Sequence, residues 1–202
     1  NSNDSTVSVI NQYKHKIDLL ISEDDDGLYF AMNKGAKIAK GKFLVFVNSG
    51  DILNINALEI INNKISQNPT VDFIFGTVKR HYTKGSFLKF GFNKKKLNYN
   101  FDFATSHSTG FYIKREIIEK IGYYDTQFKC SSDYDFYLRM IKSGMFKGSF
   151  TKVDELVGEV QSGGYSSSIS FYEHLKEETK IRIKNKQKKI LIILIFVNAI
   201  IK

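Results

Sequence analysis

The chain has 202 residues, 42% of them hydrophobic and 25% charged, which suits one globular domain with a buried core. A single proline, Pro69, excludes a proline-rich linker, and a single cysteine, Cys130, excludes an internal disulfide and a cysteine-based zinc site. The net charge of +9 attracts anions in general, yet no nucleic-acid recognition motif accompanies it, so nucleic acid is not an expected partner.

In chain order, residues 1–4 are polar and acidic, so no secretory signal is expected there, and the lone thiol agrees with a reducing compartment. Residues 6–13 read as a short helix with Asn3 or Asp4 as its N-cap. Residues 17–21 read as a strand. Leu28, Met32, Gly35, Ala36 and Ala39 recur at helical spacing, with Gly41 closing that helix. The continuous apolar run 43–47 predicts a central strand covered on both faces. Residues 54–68 predict a helix with Leu58, Ile61 and Ile65 facing inward and Pro69 after its end.

Residues 71–78 read as another strand, followed by an aperiodic basic and aromatic excursion over 79–106. Residues 109–113 predict a strand, 115–121 a helix, 132–143 a helix, and 150–160 carry strand character. A Gly/Ser loop over 161–168 leads into a long polar helix over 169–189. Strands and helices alternate, which implies a layered α/β fold with a mostly parallel central sheet. Residues 190–201 are apolar except for Asn198 and follow Lys184, Lys186, Lys188 and Lys189. About 12 residues fall short of the ~20 that span a bilayer, so this tail is expected on an anionic membrane face, or buried against a partner.

Three segments carry chemistry. Residues 22–41 run from an acidic loop through Gly27 into a helix holding Asn33 and Lys34; the loop carboxylates could equally stabilise the helix N-terminus. Residues 43–51 form a buried strand ending in Asn48-Ser49-Gly50-Asp51, the place where α/β sheets bind ligands. An acid there can hold a divalent cation against a diphosphate, or simply cap the next helix. Residues 106–139 place Asp133 and Asp135 at a helix start, as dipole-stabilised residues or, for one of them, as a general base.

Together, in this order, the segments resemble the family 2 glycosyltransferases, the bacterial exopolysaccharide and O-antigen branch in particular. The resemblance is carried by Asp25, Gly27, Ala31-Met32-Asn33-Lys34-Gly35, Asn48-Ser49-Gly50-Asp51, His107, Gly122-Tyr123-Tyr124-Asp125, Asp133-Tyr134-Asp135 and Gly163-Gly164-Tyr165-Ser166. It implies a single Rossmann-like glycosyltransferase-A domain over residues 1–185, followed by a basic-apolar tail over 186–202. It also implies an inverting transfer from a nucleoside diphosphate sugar, a UDP-sugar first, to a glycan or lipid-linked acceptor. That reaction is expected in the cytoplasm at the inner membrane face, with Mn2+ or Mg2+ as cofactor.

Residue by residue, the resemblance makes Asp133 the catalytic base and Asp51 the metal-associated acid. Asp25, Gly27, Asn33, Lys34, Asn48 and Gly50 become donor-site residues, with Lys34 near the phosphates. His107 and Tyr134 lie near the acceptor or diphosphate, or in the core. Asp135 reads as structural. Asn48, Gly50 and Ser132 stand where many members carry acids. The segment 1–6 resembles the end of a motif that follows the family's first strands, so about 35 residues, one strand-helix-strand unit, are expected upstream. A catalytically inactive remnant or accessory protein is the alternative reading.

Overall fold

The computed structural model describes residues 2, 4–99, 103–105 and 107–201. Asn1, Asn3 and Ser106, on which sequence expectations fell, lie outside the described residues. Asp4 accepts the Thr6 N–H at 2.9 Å at the start of α1, Thr6–Gln12.

Helix α2 is Leu28–Ile38, and its inward face is Tyr29, Met32 and Ala36. It ends on an extended Ala39, two residues before Gly41. Strands β1 (Phe43–Leu44) and β2 (Ile52–Leu53) lead to α3, Ala57–Gln67. Then come β3 (Phe73–Phe75), β4 (Thr77–Tyr82), β5 (Gly85–Lys89) and β6 (Phe111–Lys114). Helices α4 (Arg115–Ile121) and α5 (Ser132–Ser143) precede β7 (Gly148–Phe150) and β8 (Leu156–Gln161). Helices α6 (Phe171–Lys184) and α7 (Lys189–Ile201) follow.

Two four-stranded sheets form, in the orders β1-β6-β3-β7 and β2-β8-β4-β5. The α/β class stands, with one correction: four of the six described ladders are antiparallel and only β3–β7 and β4–β8 are parallel. Apolar periodicity locates strands but carries no direction. The β4–β5 connection, with Tyr82 paired to Gly85, is too short for anything but a hairpin.

Other expectations are corrected as well. Residues 17–21 join no ladder among the described residues, and Leu19 and Ile21 are exposed. In the run 43–47 only Phe43 and Leu44 pair, against Lys114 and Ile113, and β1 lies at a sheet edge rather than its centre. Leu58 is 67% exposed, and Ala57, Ile60, Ile61 and Ile65 form the inner face of α3 instead. The stretch 71–78 divides at Gly76, where the chain crosses between sheets. A Cβ there would meet Val157 Cγ2 at 2.5 Å, so only glycine fits the crossing. The helix expected over 169–189 starts with a Ser170–Glu173 capping box and stops at Lys184, with Lys186 at φ 53°. Gln187 then turns back to donate to the Asn98 carbonyl at 2.7 Å.

The core has two parts. Alternation along β3 and β6 sends Phe73, Phe75, Phe111 and Ile113 towards α5, and Ile74 and Tyr112 towards α3. On the α5 side the packing is aromatic, with Phe111 edge-on to Tyr137 at 4.9 Å. Helix α5 is buried on almost every face and is closed by Gly144 in the left-handed region. Its first turn, carrying Asp133, is therefore held on a rigid element.

Candidate active site

Downstream of β1 the chain makes a turn in which Asn48 O accepts the Asp51 N–H at 3.0 Å. Gly50 takes φ 85°, a conformation that favours glycine at the third position of such a turn. A one-turn 3-10 helix, Ser108–Gly110, braces it. Asn48 Nδ2 donates to Ser108 Oγ at 2.8 Å, and Thr109 Oγ1 donates to Asp51 Oδ2 at 2.6 Å. His107 Nδ1 accepts the Thr109 N–H at 3.3 Å and lies 3.8 Å from Asp51 Oδ2. Burial pushes the His107 pKa down, Asp51 opposes that, and Arg80 adds to it, with a net lowering. The ring is then neutral near pH 7, and because Nδ1 accepts, its proton sits on Nε2.

Across the cleft stands Asp133. Its Oδ1 accepts the Tyr134 N–H at 2.8 Å and the Tyr29 hydroxyl at 3.4 Å. Burial outweighs these bonds and pushes the carboxyl up to about 6. The Arg80 charge favours the ionised form, and among the described residues that guanidinium forms no ion pair. Glu177 of α6 fixes the approach to α5. Its carboxylate accepts the N–H groups of Lys129 at 2.6 Å, Cys130 at 3.0 Å and Ser131 at 3.1 Å. Burial raises the Glu177 pKa, yet these donors leave it below the ordinary value. Burial drives the neighbouring Cys130 thiol up to about 12, so it is no nucleophile near neutral pH.

Asp51, His107, Arg80 and Asp133 line one cleft of about 650 Å3, joined by Asn48, Gly50, Gly163, Gly164 and Tyr165. The structure thus brings five sequence-expected site residues together. It sets the other five elsewhere. Asn33 is spent on the backbone of Tyr124, donating to its carbonyl at 2.8 Å and accepting its N–H at 2.9 Å. Lys34 pairs with Glu23 and, at 2.7 Å, with Asp25. Gly27 caps α2 at φ 131° and lines a separate cavity of about 180 Å3. Tyr134 is fully buried and donates to the Leu97 carbonyl at 3.0 Å. Asp135 is structural, bound by Arg139 at 2.8 Å, Lys184 at 3.0 Å and Asn185 at 2.8 Å.

Tyr29, Arg80 and Glu177 escaped the sequence reading. Arg80 had a signal, since alternation sets it on the same strand face as the buried Val78. For a divalent cation the fit is partial. Among the described residues no group of three His, Cys, Asp or Glu could hold a metal. Asp51 offers one carboxylate, which suits a hard cation that takes its remaining ligands from a diphosphate and water.

The family model described as glycosyl transferase family 2 matches residues 1–122, which include the 48–51 turn and His107. A PGL/p-HBAD biosynthesis glycosyltransferase of Mycobacterium bovis is 26% identical over 181 residues, 87% of this chain and 68% of that protein. An uncharacterized glycosyltransferase of Methanocaldococcus jannaschii is 27% identical over 149 residues, 69% of this chain and 51% of that protein. The structure of S. aureus TarS 1-349 in complex with UDP-GlcNAc superposes with a TM-score of 0.69 at 17% identity, over 90% of this chain and 54% of that one. The mannosyltransferase PcManGT of Pyrobaculum calidifontis, in complex with GDP-Man and Mn2+, gives 0.59 at 15% identity, over 91% and 52%. The chain spans about half the length of those two solved chains, and these likenesses agree on the fold. On the family match over more than half its length, the chain belongs to glycosyl transferase family 2.

Proposed function

We propose that this chain transfers a sugar, with inversion, from a nucleoside diphosphate sugar to a hydroxyl of a glycan or lipid-linked acceptor. The observation that carries the reading is a carboxyl raised to about 6, Asp133, across one cleft from the Asn48–Asp51 turn. A base with a pKa just below neutral is ionised at working pH and still basic enough to accept a proton in the transition state.

In this reading Asp133 takes the acceptor hydroxyl proton while that oxygen attacks the anomeric carbon. The bond from that carbon to the diphosphate breaks on the opposite face. Negative charge grows on the departing diphosphate, and Arg80 and the His107 Nε2–H offset it. Asp51 would hold a divalent cation, which when bound neutralises diphosphate charge. The nucleotide-sugar assignment draws support from neighbours that contain UDP-GlcNAc and GDP-Man, and UDP is the first nucleotide to test.

The inactive-remnant reading is favoured by one specific observation, that Asn33 and Lys34 are already engaged within the chain. Calorimetric titration with UDP and GDP in Mn2+, followed by transfer assays with radiolabelled nucleotide sugars, separates the two. Nucleotide binding weakened by Asp51→Asn, with transfer lost in Asp133→Asn, supports the enzyme. No nucleotide binding by the folded chain overturns it.

The same reading places the chain on a membrane surface, at the cytoplasmic face. No helix among the described residues is long and apolar enough to cross a membrane. Helix α7 nonetheless exposes Ile190, Ile193, Leu194, Phe196, Val197 and Ile200, directly after exposed Lys186, Lys188 and Lys189. Co-sedimentation with phosphatidylglycerol vesicles, lost in Ile193→Glu/Leu194→Glu, is the expected result.

A further inference from the structure

Beyond Arg80, the β4–β5 hairpin carries aromatic side chains that the mechanism above does not use. Register pairs Arg80 with Phe87, His81 with Ser86 and Tyr82 with Gly85. Alternation therefore puts Val78, Arg80, Tyr82 and Phe87 on one face, and His81 and Ser86 on the other. Val78 is buried in the core, while Arg80 and Tyr82 line the cleft. That face leads from the core to the cleft, which Tyr82 lines and Phe87 does not. Beside it the Tyr82 and Phe87 rings stack on each other, 5.2 Å apart and 9° from parallel, with Lys89 Nζ 5.8 Å from the Phe87 ring centre. They are 46% and 45% exposed.

On the reverse face, His81 Nε2 bonds Glu159 Oε2 at 2.6 Å and Ser86 Oγ bonds His81 Nδ1 at 2.8 Å. Those bonds tie β8, β4 and β5 together behind the rings, so the pair is displayed on a braced strand edge rather than a loose loop.

We infer that the outer face of the Tyr82 ring, backed by Phe87, is a stacking platform for a pyranose ring of the acceptor. The inference rests on the sugar-transfer reading and names the acceptor chemistry of that same cleft. The aromatic face carries the negative lobe of its quadrupole and attracts the slightly positive C–H groups on a sugar's apolar face. A pyranose also keeps its hydroxyls at its rim, where water and the neighbouring Arg80 donate to them. A single ring face open to solvent suits a pyranose better than an acyl chain, which needs a groove to bury its length. Continuity with the cleft would bring a hydroxyl of the next ring towards Asp133.

The chain contains no tryptophan, so Phe87→Trp installs a single indole whose fluorescence reports this position alone. The variant is titrated with methyl glycosides of glucose, galactose, mannose and N-acetylglucosamine, and in a parallel arm with octyl glucoside. A saturable emission change with at least one methyl glycoside is expected. Its midpoint should rise about tenfold when Tyr82→Ala is added, with circular dichroism unchanged. No saturable response to any methyl glycoside, indifference to Tyr82→Ala, or a response to octyl glucoside alone overturns the platform. UDP binding in Mn2+ is measured on the same samples by calorimetry. Nucleotide binding without a glycoside response sinks the platform and spares the transfer reading. A glycoside response without nucleotide binding does the reverse.

Discussion

Two parts of this chain carry family motifs of similar clarity and end in different situations. Around the cleft, Asp51, His107 and Asp133 keep bonding capacity in hand. Asp133 is held above its ordinary pKa, and neither the His107 Nε2–H nor the Arg80 guanidinium has a carboxylate partner among the described residues. In the acidic loop and α2, the capacity is spent. Both ends of the Asn33 amide are satisfied by Tyr124, and Lys34 is shared by Glu23 and Asp25. The lesson is that motif residues mark the neighbourhood, while unspent charge and hydrogen bonding mark the chemistry.

The comparison breaks most sharply at Asp133. If it is the base, Asp133→Asn lowers transfer by about 10²–10⁴-fold with nucleotide affinity little changed. The same variant should be more stable. A carboxyl raised from 3.8 to about 6 costs folding free energy above about pH 6, where both states are ionised, and nothing below 3.8, where both are protonated. The ceiling on that cost is about 3 kcal/mol. The Asp133 contribution should therefore fall as pH rises from about 4 to about 6, so the stability gained by Asp133→Asn in denaturant titrations should grow over that range. A less stable variant at pH 8 would contradict this account.

The α2 side gives the complementary outcome. Asn33→Ala removes two hydrogen bonds to the Tyr124 backbone and should cost about 1–3 kcal/mol in chemical denaturation. Nucleotide affinity should stay within a factor of about two in calorimetry. Lys34→Ala should change nucleotide affinity by less than about threefold, because its ammonium is shared by Glu23 and Asp25 within the chain. A tenfold loss in either variant would move that residue back into the donor site.

Much of this was legible in the sequence, and the failures have physical reasons. The α5 segment was readable to the residue because Gly144 and the acidic first turn are local signals. The 48–51 turn was readable because Asn48 and Gly50 are local turn signals. The pairing of residues 43–47 was not, since sheet position depends on partners far along the chain. Asn33 and Tyr124 are 91 residues apart, and nothing local tells a donor-site amide from a backbone staple. Glu177 sits mid-helix on α6 and meets residues 129–131 only through tertiary packing. Tyr29 was hidden by its neighbours, since the helical face was read through Leu28 and Met32.

Tyr29 provides the finest test of the cleft side. Its hydroxyl donates to Asp133 Oδ1 and accepts the Asp133 N–H, both at 3.4 Å, so the contact is long and weak. Burial sets the raised Asp133 pKa, and the Tyr29 bond pulls it down a little. Tyr29→Phe removes that bond and leaves the burial, so the carboxyl should rise further, by less than about one pH unit. A base must be ionised to act. The acid limb of the transfer profile should therefore move to higher pH, with the rate at pH 6 falling about two- to threefold and the rate at pH 8 unchanged. A general weakening of the fold would lower both rates together and leave the limb in place. A limb that stays or moves to lower pH would mean that Tyr29 does not tune Asp133, and that burial alone sets the pKa of the proposed base.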